Sequence, residues 1–322
     1  MRPPGKPRAL RPGDCVGIVA PSGSTTDDRA LDKAVATIEA LGFRVTAGPS
    51  ARGAVDRRYG YLATTDEERA ADIHRFFADP GISAVLCFRG GYGAPRILDR
   101  LDYDLIARHP KLFIGYSDIT GLHLALARHA GFPTIHGPMA SGFERLDAAS
   151  RTRWLHVVTT GGAGPVRFGS GADEPPGVEP PRWLTRGSAE GTLTGGNLAL
   201  VSALVGTRYA LDPVDRIVFL EDVGEEPYRV DRMLNQLRLA GYFSSCRGVV
   251  LGTWERCTAS EPERSLRLEE VFADQIGPSG KPALMGVAAG HGTPALTFPL
   301  GVRARIGASH AAFEILEPAV EV

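Results

Sequence analysis

Short, uninterrupted apolar runs separated by helix-like stretches dominate the first half of the chain, and this pattern constrains its fold most. Apolar runs lie at Cys15 to Ala20, Ala84 to Phe88 and Leu112 to Gly115, with helical periodicity between them. Thr65 begins a Thr-Asp-Glu-Glu capping box, and Gly42 is a good C-cap for an earlier helix. Strands that are apolar along their whole length are buried on both faces, as in sheets whose crossovers are helices. The pattern therefore predicts a parallel α/β sheet.

A change of composition near the middle of the chain indicates a domain boundary. Glycine and proline cluster at Gly161 to Pro165 and at Glu174 to Pro181, which is turn and linker chemistry. We therefore expect an N-terminal α/β domain over residues 1–145, a linker over 146–186 and a C-terminal domain over 187–322. The second domain mixes helical stripes with a β-rich final stretch, so it is predicted to be a smaller, β-rich α/β unit.

Charge and composition exclude several classes of function. The 36 lysines and arginines nearly balance the 37 acidic residues, so no net field draws the chain to nucleic acid or to an anionic membrane. No glycine-rich loop is followed by Lys-Ser or Lys-Thr, which excludes a phosphate-binding P-loop. The histidines and cysteines show neither HExxH nor CxxC spacing. Neither a metal site nor any other cofactor is therefore predicted.

The same sequence predicts a location in the cytoplasm. The basic, proline-rich start over residues 1–10 is not followed by an apolar h-region, so no secretory signal is visible. No run approaches 18 apolar residues, so a transmembrane helix is not expected. The chain has only four cysteines, and they are expected to be reduced thiols that behave as small hydrophobic residues.

The segment around Ser117 has the pattern of a nucleophile elbow. The buried run Leu112 to Gly115 leads into Tyr116-Ser117-Asp118, and a helix follows at once. Such a sharp strand-to-helix turn holds a serine hydroxyl outward at the positive end of the helix. The match to G-x-S-x-G is partial, because Ile119 replaces the closing glycine. The alternative is that Ser117 or Asp118 merely caps the helix, and the segment alone leaves both interpretations open.

A serine nucleophile needs a base, and the base needs a carboxylate to orient it. The run at residues 217–220 ends in acidic residues that could point into a cleft, or could be ordinary caps or solvated acids. Spacing does not distinguish among the four acids here, which are Glu221, Asp222, Glu225 and Glu226.

Two histidines are candidates for the base. His291 is flanked by glycines at the end of an apolar stretch, which places it on exposed, closely packed backbone. His136, in Thr-Ile-His-Gly-Pro, is its competitor, whereas His123 is expected on a helix face. The order Ser117, then an acid, then His291 matches one convergent order of the catalytic triad.

Two glycine-rich turns could present backbone amides to an anion. One is Arg89-Gly-Gly-Tyr-Gly93, which follows a predicted strand, and the other is Thr194-Gly-Gly-Asn197, which precedes a predicted helix. Neither matches GxGxxG, so dinucleotide binding is poorly supported. The alternative for both turns is close packing of backbone, which glycine permits.

Taken together, nine short motifs resemble one family, the LD-carboxypeptidases among the serine peptidases, which include the muramoyltetrapeptide carboxypeptidases of bacterial cell-wall recycling. Each motif is weak alone, but they occur in family order from about residue 8 to 310, which makes the set specific. The motifs are Gly-Ile-Val-Ala-Pro-Ser22, Arg-Gly-Gly-Tyr-Gly93, Ile-Gly-Tyr-Ser-Asp118, Ile-His-Gly-Pro-Met139, Leu-Thr-Gly-Gly-Asn197, Leu-Glu-Asp-Val-Gly-Glu-Glu-Pro-Tyr-Arg229, Asp-Arg-Met-Leu-Asn-Gln-Leu237, Gly-His-Gly292 and Pro-Leu-Gly301.

This resemblance implies a cytoplasmic, commonly dimeric peptidase with two domains, the first of them amidotransferase-like (flavodoxin-like). It implies that Ser117 is the nucleophile, Glu221 rather than Asp222 the triad carboxylate, and His291 the base. The reaction it implies is release of a C-terminal D-amino acid, D-alanine, from murein tetrapeptide. The alternatives are a self-immunity peptidase of the microcin C type, which cleaves peptide-nucleotide antibiotics, and a non-catalytic peptide-binding protein.

The implied chemistry adds four further expectations for the site. The amides of Asp118 and Gly91 are expected to bind the tetrahedral oxyanion. A carboxypeptidase must also recognise a free carboxylate, which arginine does bidentately. Arg89 and Arg96 flank the glycine loop and are therefore the candidates for binding the substrate carboxylate.

Overall fold

The predicted alternation of strands and helices is present in the computed structural model, which describes residues 5–167, 178–307 and 312–321. The strands of this part of the chain are β1 (Cys15–Val19), β2 (Arg44–Ala47), β3 (Ala84–Cys87), β4 (Leu112–Gly115), β5 (Thr134–His136), β6 (Gly164–Pro165), β7 (Arg182–Thr185), β8 (Ala189–Asn197), β9 (Arg216–Val223), β10 (Gly248–Glu255), β11 (Ala283–Met285), β12 (Phe298–Leu300), β13 (Arg303–Gly307) and β14 (Ala312–Ile315). Its α-helices are α1 (Ala30–Glu39), α2 (Pro49–Asp56), α3 (Asp66–Ala78), α4 (Tyr103–Arg108), α5 (Thr120–His129), α6 (Ala148–Thr160), α7 (Leu198–Ala203), α8 (Pro227–Leu239), α9 (Tyr242–Ser245) and α10 (Leu268–Gln275).

The first sheet is parallel and has the strand order of a flavodoxin-like fold. Its order is β2-β1-β3-β4-β5, and every pair among these five strands is parallel. In sheets of this kind, ligands bind outside the carboxyl ends of the strands, where the order reverses. The prediction of a parallel, flavodoxin-like N-terminal sheet is therefore confirmed.

One strand of the first sheet comes from the far end of the chain. β12 pairs antiparallel with β5, so that Phe298 lies opposite His136 and Leu300 opposite Thr134. This return is not evident from the sequence, which predicts only that the stretch 295–316 is β-rich. The added strand ties the C-terminal segment to the edge of the first sheet.

The second sheet is mixed, with a parallel centre and antiparallel margins. Its order is β6-β14-β13-β8-β9-β10-β11-β7, in which β8, β9, β10 and β11 are parallel neighbours. The pairs β6–β14, β13–β14, β13–β8 and β11–β7 are antiparallel. The C-terminal part is therefore the predicted β-rich α/β unit.

The two sheets share their hydrophobic core. One cluster of buried side chains contains Val85 of the first sheet together with Leu220 of the second. A second cluster contains Ile114 together with Phe219. Because buried apolar surface is contributed by both halves, the ends of β4 and β9 are held close together, and these are the two strands on which the site depends.

Two segments differ in detail from their sequence patterns. Thr65 caps α3 by accepting a hydrogen bond from the Glu68 amide, as predicted, but the Glu68 carboxylate accepts from Thr64 instead of completing a capping box.

The stretch 146–186, predicted as a linker, contains helix α6, in which Trp154 is fully buried. Part of its proline-rich segment, residues 168–177, lies outside the described residues. The domain boundaries themselves stay a prediction.

Candidate active site

Ser117 lies on a sharp turn between β4 and α5. Tyr116 is extended, with φ −158° and ψ −171°, and Ser117 then has φ 64°, in the left-handed region that non-glycine residues rarely adopt. Such backbone strain costs on the order of 1–3 kcal/mol and is concentrated at functional sites. The Ser117 side chain lies against the glycine loop, since a Cβ on Gly90 would come within 2.9 Å of the Ser117 Cβ. The elbow geometry predicted from the sequence is therefore present.

Three side chains from distant parts of the chain form one line of hydrogen bonds. The Nδ1 atom of His291 lies 2.7 Å from Glu221 Oε2, and its Nε2 atom lies 3.0 Å from Ser117 Oγ. A carboxylate can only accept, so Nδ1 carries the ring proton and Nε2 accepts from the serine hydroxyl. The three residues stand in the arrangement of a nucleophile, a base and an orienting acid.

Glu221 is fully buried, and its approach to His291 depends on glycine. It lies within β9 rather than beyond its end, because the strand continues to Val223. Gly290 has φ 122°, and a Cβ there would come within 2.4 Å of Glu221 Oε2. A residue with a side chain beside His291 would therefore displace the carboxylate from the imidazole.

Asp222 points to the opposite side of β9, because successive side chains of a strand alternate. Its carboxylate accepts hydrogen bonds from the Asn197 side chain at 2.8 Å, the Ala199 amide at 2.9 Å and the Val223 amide at 2.8 Å. Burial raises the pKa of Asp222 to about 6, against these opposing hydrogen bonds. The structure therefore separates the two adjacent acids, of which only Glu221 meets the imidazole.

Within the described ranges, the backbone amides of Asp118 and Gly91 donate to no acceptor, so both remain available as hydrogen-bond donors. Gly91 has φ 110°, a conformation that favours glycine. The Asp118 side chain supports this arrangement, because it accepts from the Ser22 hydroxyl at 2.5 Å and from the Ala94 amide at 2.7 Å. Burial raises the pKa of Asp118 above its ordinary value, although both hydrogen bonds oppose the shift. Sequence reasoning predicted a role for the Asp118 amide and missed that of its side chain.

A cavity of about 480 Å³ lies next to Ser117 and His291. Its wall includes Ser117, His291, Arg89, Gly91 and Arg145. A pocket of this size is typical of a small-molecule or short-peptide site. Ser117 and the glycine loop come from the first sheet, and His291 comes from the loop that follows β11, so the site needs both halves of the chain.

The two predicted carboxylate-binding arginines lie in different places. Arg89 lines the cavity, half-buried, with one Nη donating to the Ser24 carbonyl, and burial lowers its pKa below the ordinary arginine value. No carboxylate among the described residues pairs with it. Arg96 lies outside the cavity and pairs with Asp66 through contacts of 3.0 and 2.9 Å.

Arg145 also lines the cavity, and sequence reasoning missed it. Its side chain is largely exposed and makes two long contacts, one of 3.4 Å to Glu144 and one of 3.5 Å to the Ser141 carbonyl. It lies in a 3₁₀ turn beyond the motifs that drew attention to the site. Its position in the cavity wall depends on tertiary packing, which local sequence does not reveal.

The other two histidines are not placed as bases. His136 is almost fully buried in the wall of the cavity, stacked on Phe298 with ring centroids 5.2 Å apart. Burial lowers its pKa well below the usual histidine value. His123 lies in α5 as predicted, on a buried face of that helix, and its ring nitrogens lie 2.9 Å from the Gly115 carbonyl and from Thr134 Oγ1. Burial lowers the pKa of His123 to about 4. Both rings are therefore neutral near pH 7.

Within residues 5–167, 178–307 and 312–321, no group of three His, Cys, Asp or Glu side chains converges as a metal site. In the same residues no helix has the length and apolar character needed to cross a membrane.

Comparison with known proteins finds the same family over most of the chain. The profile of the LD-carboxypeptidase N-terminal domain matches residues 16–137, and that of the LD-carboxypeptidase C-terminal domain matches residues 190–306. A probable murein peptide carboxypeptidase of Bacillus subtilis is 40% identical, over 93% of this chain and 90% of its own. A murein tetrapeptide carboxypeptidase of Pseudomonas aeruginosa is 35% identical, over 89% of this chain and 91% of its own. A solved structure of MccF in complex with glutamyl sulfamoyl guanosine shares the fold, with a TM-score of 0.87 and 23% identity over 99% of this chain and 100% of that one.

Proposed function

This chain belongs to the LD-carboxypeptidase family, and we propose that it is a serine carboxypeptidase that releases a C-terminal D-amino acid, D-alanine, from murein tetrapeptide in cell-wall recycling. The observation that carries the proposal is the line of hydrogen bonds from Ser117 through His291 to Glu221 in the wall of a peptide-sized cavity. The names of the two bacterial relatives support the substrate class.

In the first step, His291 Nε2 takes the proton of the Ser117 hydroxyl as Oγ attacks the carbonyl before the terminal D-residue. Glu221 holds the imidazole with its proton on Nδ1 and stabilises the imidazolium that forms. The tetrahedral intermediate collapses, the C–N bond breaks, and the D-amino acid leaves with the proton returned by His291. Water then attacks the acyl-enzyme with His291 as base, which frees the tripeptide and restores Ser117.

The developing oxyanion is stabilised by the amides of Asp118 and Gly91. Each such donor contributes about 3–4 kcal/mol to transition-state stabilisation in comparable sites. Their unused hydrogen-bonding capacity supports this role, because a preorganised donor needs no rearrangement when the charge appears. The hydrogen bonds from Ser22 and Ala94 to the Asp118 carboxylate keep the glycine loop next to the nucleophile.

Arg89 is proposed to bind the terminal carboxylate of the substrate. It is a half-buried cation beside Gly91, with its Nη2 atom within 3.8 Å of the position that a Gly91 Cβ would occupy. A substrate carboxylate would give it the bidentate partner that the described residues do not supply. Arg96 already has such a partner in Asp66, so of the two arginines predicted from the sequence the geometry favours Arg89.

Replacing Arg89 with glutamine is expected to raise KM for the tetrapeptide about 10- to 100-fold, which is the range for losing a hydrogen-bonded charge pair. A tetrapeptide whose terminal carboxylate is amidated should be a poor substrate for both proteins, with no further loss in the variant. Initial-rate kinetics on the two peptides measures the difference. Arg96→Gln is the matched comparison and should behave like wild type. An equal loss in both variants, or none in either, would contradict the assignment.

The function itself is tested by mass spectrometry of the products formed from a small panel of substrates. The proposal predicts tripeptide and free D-alanine from murein tetrapeptide. Cleavage of an aminoacyl-sulfamoyl adenosine with no action on the tetrapeptide would assign the self-immunity activity instead. Tight binding of the tetrapeptide without any product would leave a non-catalytic binder.

We further propose that the protein works as a homodimer in the cytoplasm, as the family resemblance implies. Its four cysteines are buried and free of disulfide bonds, which suits a reducing compartment. Light scattering on the purified chain measures the assembly state, and a monomer at micromolar concentration would overturn the dimer.

A further inference from the structure

The turn Thr194-Gly-Gly-Asn197 lies at the end of β8 and has no part in the reaction described above. Gly195 and Gly196 have φ 121° and 143°, and neither has room for a side chain. A Cβ on Gly196 would lie 2.4 Å from Thr120 Oγ1, and one on Gly195 would lie 2.0 Å from the Phe219 carbonyl oxygen. The two glycines therefore let the end of β8 pack directly between α5, which follows the nucleophile, and β9, which carries Glu221.

Asn197 joins these two elements by hydrogen bonds. Its backbone amide donates to Thr120 Oγ1 at 2.9 Å, and its side-chain Nδ2 donates to Asp222 Oδ1 at 2.8 Å. Thr120 follows Ser117 by three residues, and Asp222 directly follows Glu221. Asn197 is also the register partner of Glu221 between β8 and β9. A continuous line of contacts thus connects the strand-to-helix turn of Ser117 with the strand position of Glu221.

All three residues in this line of contacts are buried, and the one at its end, Asp222, is acidic. Thr120, Asn197 and Asp222 are 0%, 4% and 3% exposed. The Asp222 carboxylate also accepts from the Ala199 amide in the first turn of α7, where a negative charge is favourable. Buried polar groups of this kind have well-defined positions, because each lost hydrogen bond leaves an uncompensated group.

Capping of α7 explains only part of this arrangement. The cap needs the Asn197 Oδ1 atom, which accepts from the Leu200 amide at 3.3 Å. It does not need the Nδ2 contact with Asp222 or the amide contact with Thr120. These two contacts leave the helix and bridge to the elements that carry Ser117 and Glu221.

We propose that Thr120, Asn197 and Asp222 form a positioning latch, which fixes the distance between the Ser117 elbow and the Glu221 strand so that His291 can bond to both. None of the three lines the cavity, so they act through the triad. The inference rests on the proposed catalytic roles of Ser117 and Glu221.

The test is Thr120→Val, which removes the acceptor hydroxyl and keeps the side-chain shape. A displacement of the nucleophile by an ångström can cost about 100-fold in rate, so we expect kcat on murein tetrapeptide to fall about 10- to 100-fold with KM nearly unchanged. Thr120→Ser restores the hydroxyl and should recover most of kcat. Ser202→Ala is the matched control, because it removes a different buried hydroxyl from α7, the one that donates to Gln236, and should retain wild-type kcat.

Asp222→Asn tests the other end of the latch. If Thr120→Val does not fold, this second variant still tests whether the latch positions the triad. It should also lower kcat without raising KM, and the double variant should lose less than the product of the two single losses. Wild-type kcat in both single variants would overturn the latch, as would fully multiplicative losses or a Thr120→Ser enzyme as slow as Thr120→Val. The proposed function fails separately, through an active Ser117→Ala enzyme.

Discussion

A Ser117→Ala variant is expected to lose about 10⁶-fold in kcat on murein tetrapeptide, the loss found when the nucleophile of a serine peptidase triad is removed. The reason is that Ser117 Oγ is the atom that His291 deprotonates and that becomes acylated. A residual rate above the uncatalysed reaction should remain, since the Asp118 and Gly91 amides and the binding cavity are untouched. Release of D-alanine, followed by chromatography and mass spectrometry, measures the loss.

The variant should bind substrate as the wild type does, which separates loss of chemistry from loss of fold. Isothermal titration of the tetrapeptide is expected to give similar Kd values, because Arg89 and the cavity wall remain in place. Ser244→Ala is a suitable control, as its hydroxyl is exposed and donates only to the Gly241 carbonyl. D-alanine release at the wild-type rate by Ser117→Ala would disprove the assigned nucleophile, even if the chain proved to be a peptidase.

The elbow could be predicted from sequence because its geometry is local. A buried strand, a serine and the start of a helix within nine residues leave few conformations for the turn, and Ser117 has the strained one. The choice between Glu221 and Asp222 was different in kind. Residue spacing cannot distinguish these two acids, because adjacent residues of a strand point to opposite faces of the sheet. The sequence does not say which of the two faces lies toward His291. The family resemblance points to Glu221, and in the folded chain it is the side chain of Glu221, and not that of Asp222, that lies beside His291.

Features that depend on contacts between distant segments were not predictable. The return of β12 to the first sheet pairs residues more than 160 positions apart, and nothing local distinguishes Phe298 as a partner for His136. Arg96 looked as suitable as Arg89 for binding a carboxylate, yet the tertiary structure gives it Asp66 as a partner. For the glycines of Thr194-Gly-Gly-Asn197, the sequence leaves open whether they present amides to an anion or allow close packing of backbone. Only the folded chain shows that they pack against Thr120 and Phe219.

Replacing Glu221 with glutamine is expected to lower kcat about 10⁴-fold, as an amide does in place of the triad carboxylate of other serine peptidases. If the amide nitrogen faces His291, the imidazole is held with its proton on Nε2 and cannot accept from Ser117. If the amide oxygen faces it, the tautomer is correct but the imidazolium lacks a counter-charge in a fully buried position. Both orientations therefore raise the free energy of the transition state, while the cavity that binds substrate keeps its shape. Stopped or quenched turnover of the tetrapeptide should show the fall in kcat with little change in KM.

Two neighbouring acids make the result specific to Glu221. Glu225→Gln removes a partly exposed carboxylate, 3.8 Å from Arg229, and should leave kcat unchanged. The loss of kcat in Asp222→Asn should lie between those of Glu221→Gln and Glu225→Gln. The Asp222 carboxylate helps to position the triad but does not stabilise the imidazolium charge. A graded series is therefore expected, with about 10⁴-fold loss for the triad acid, about 10-fold for the positioning acid and none for the surface acid. The opposite order for Glu221→Gln and Asp222→Asn would show that the imidazole turns to the other acid during turnover, and it would reverse the roles assigned to the two faces of β9.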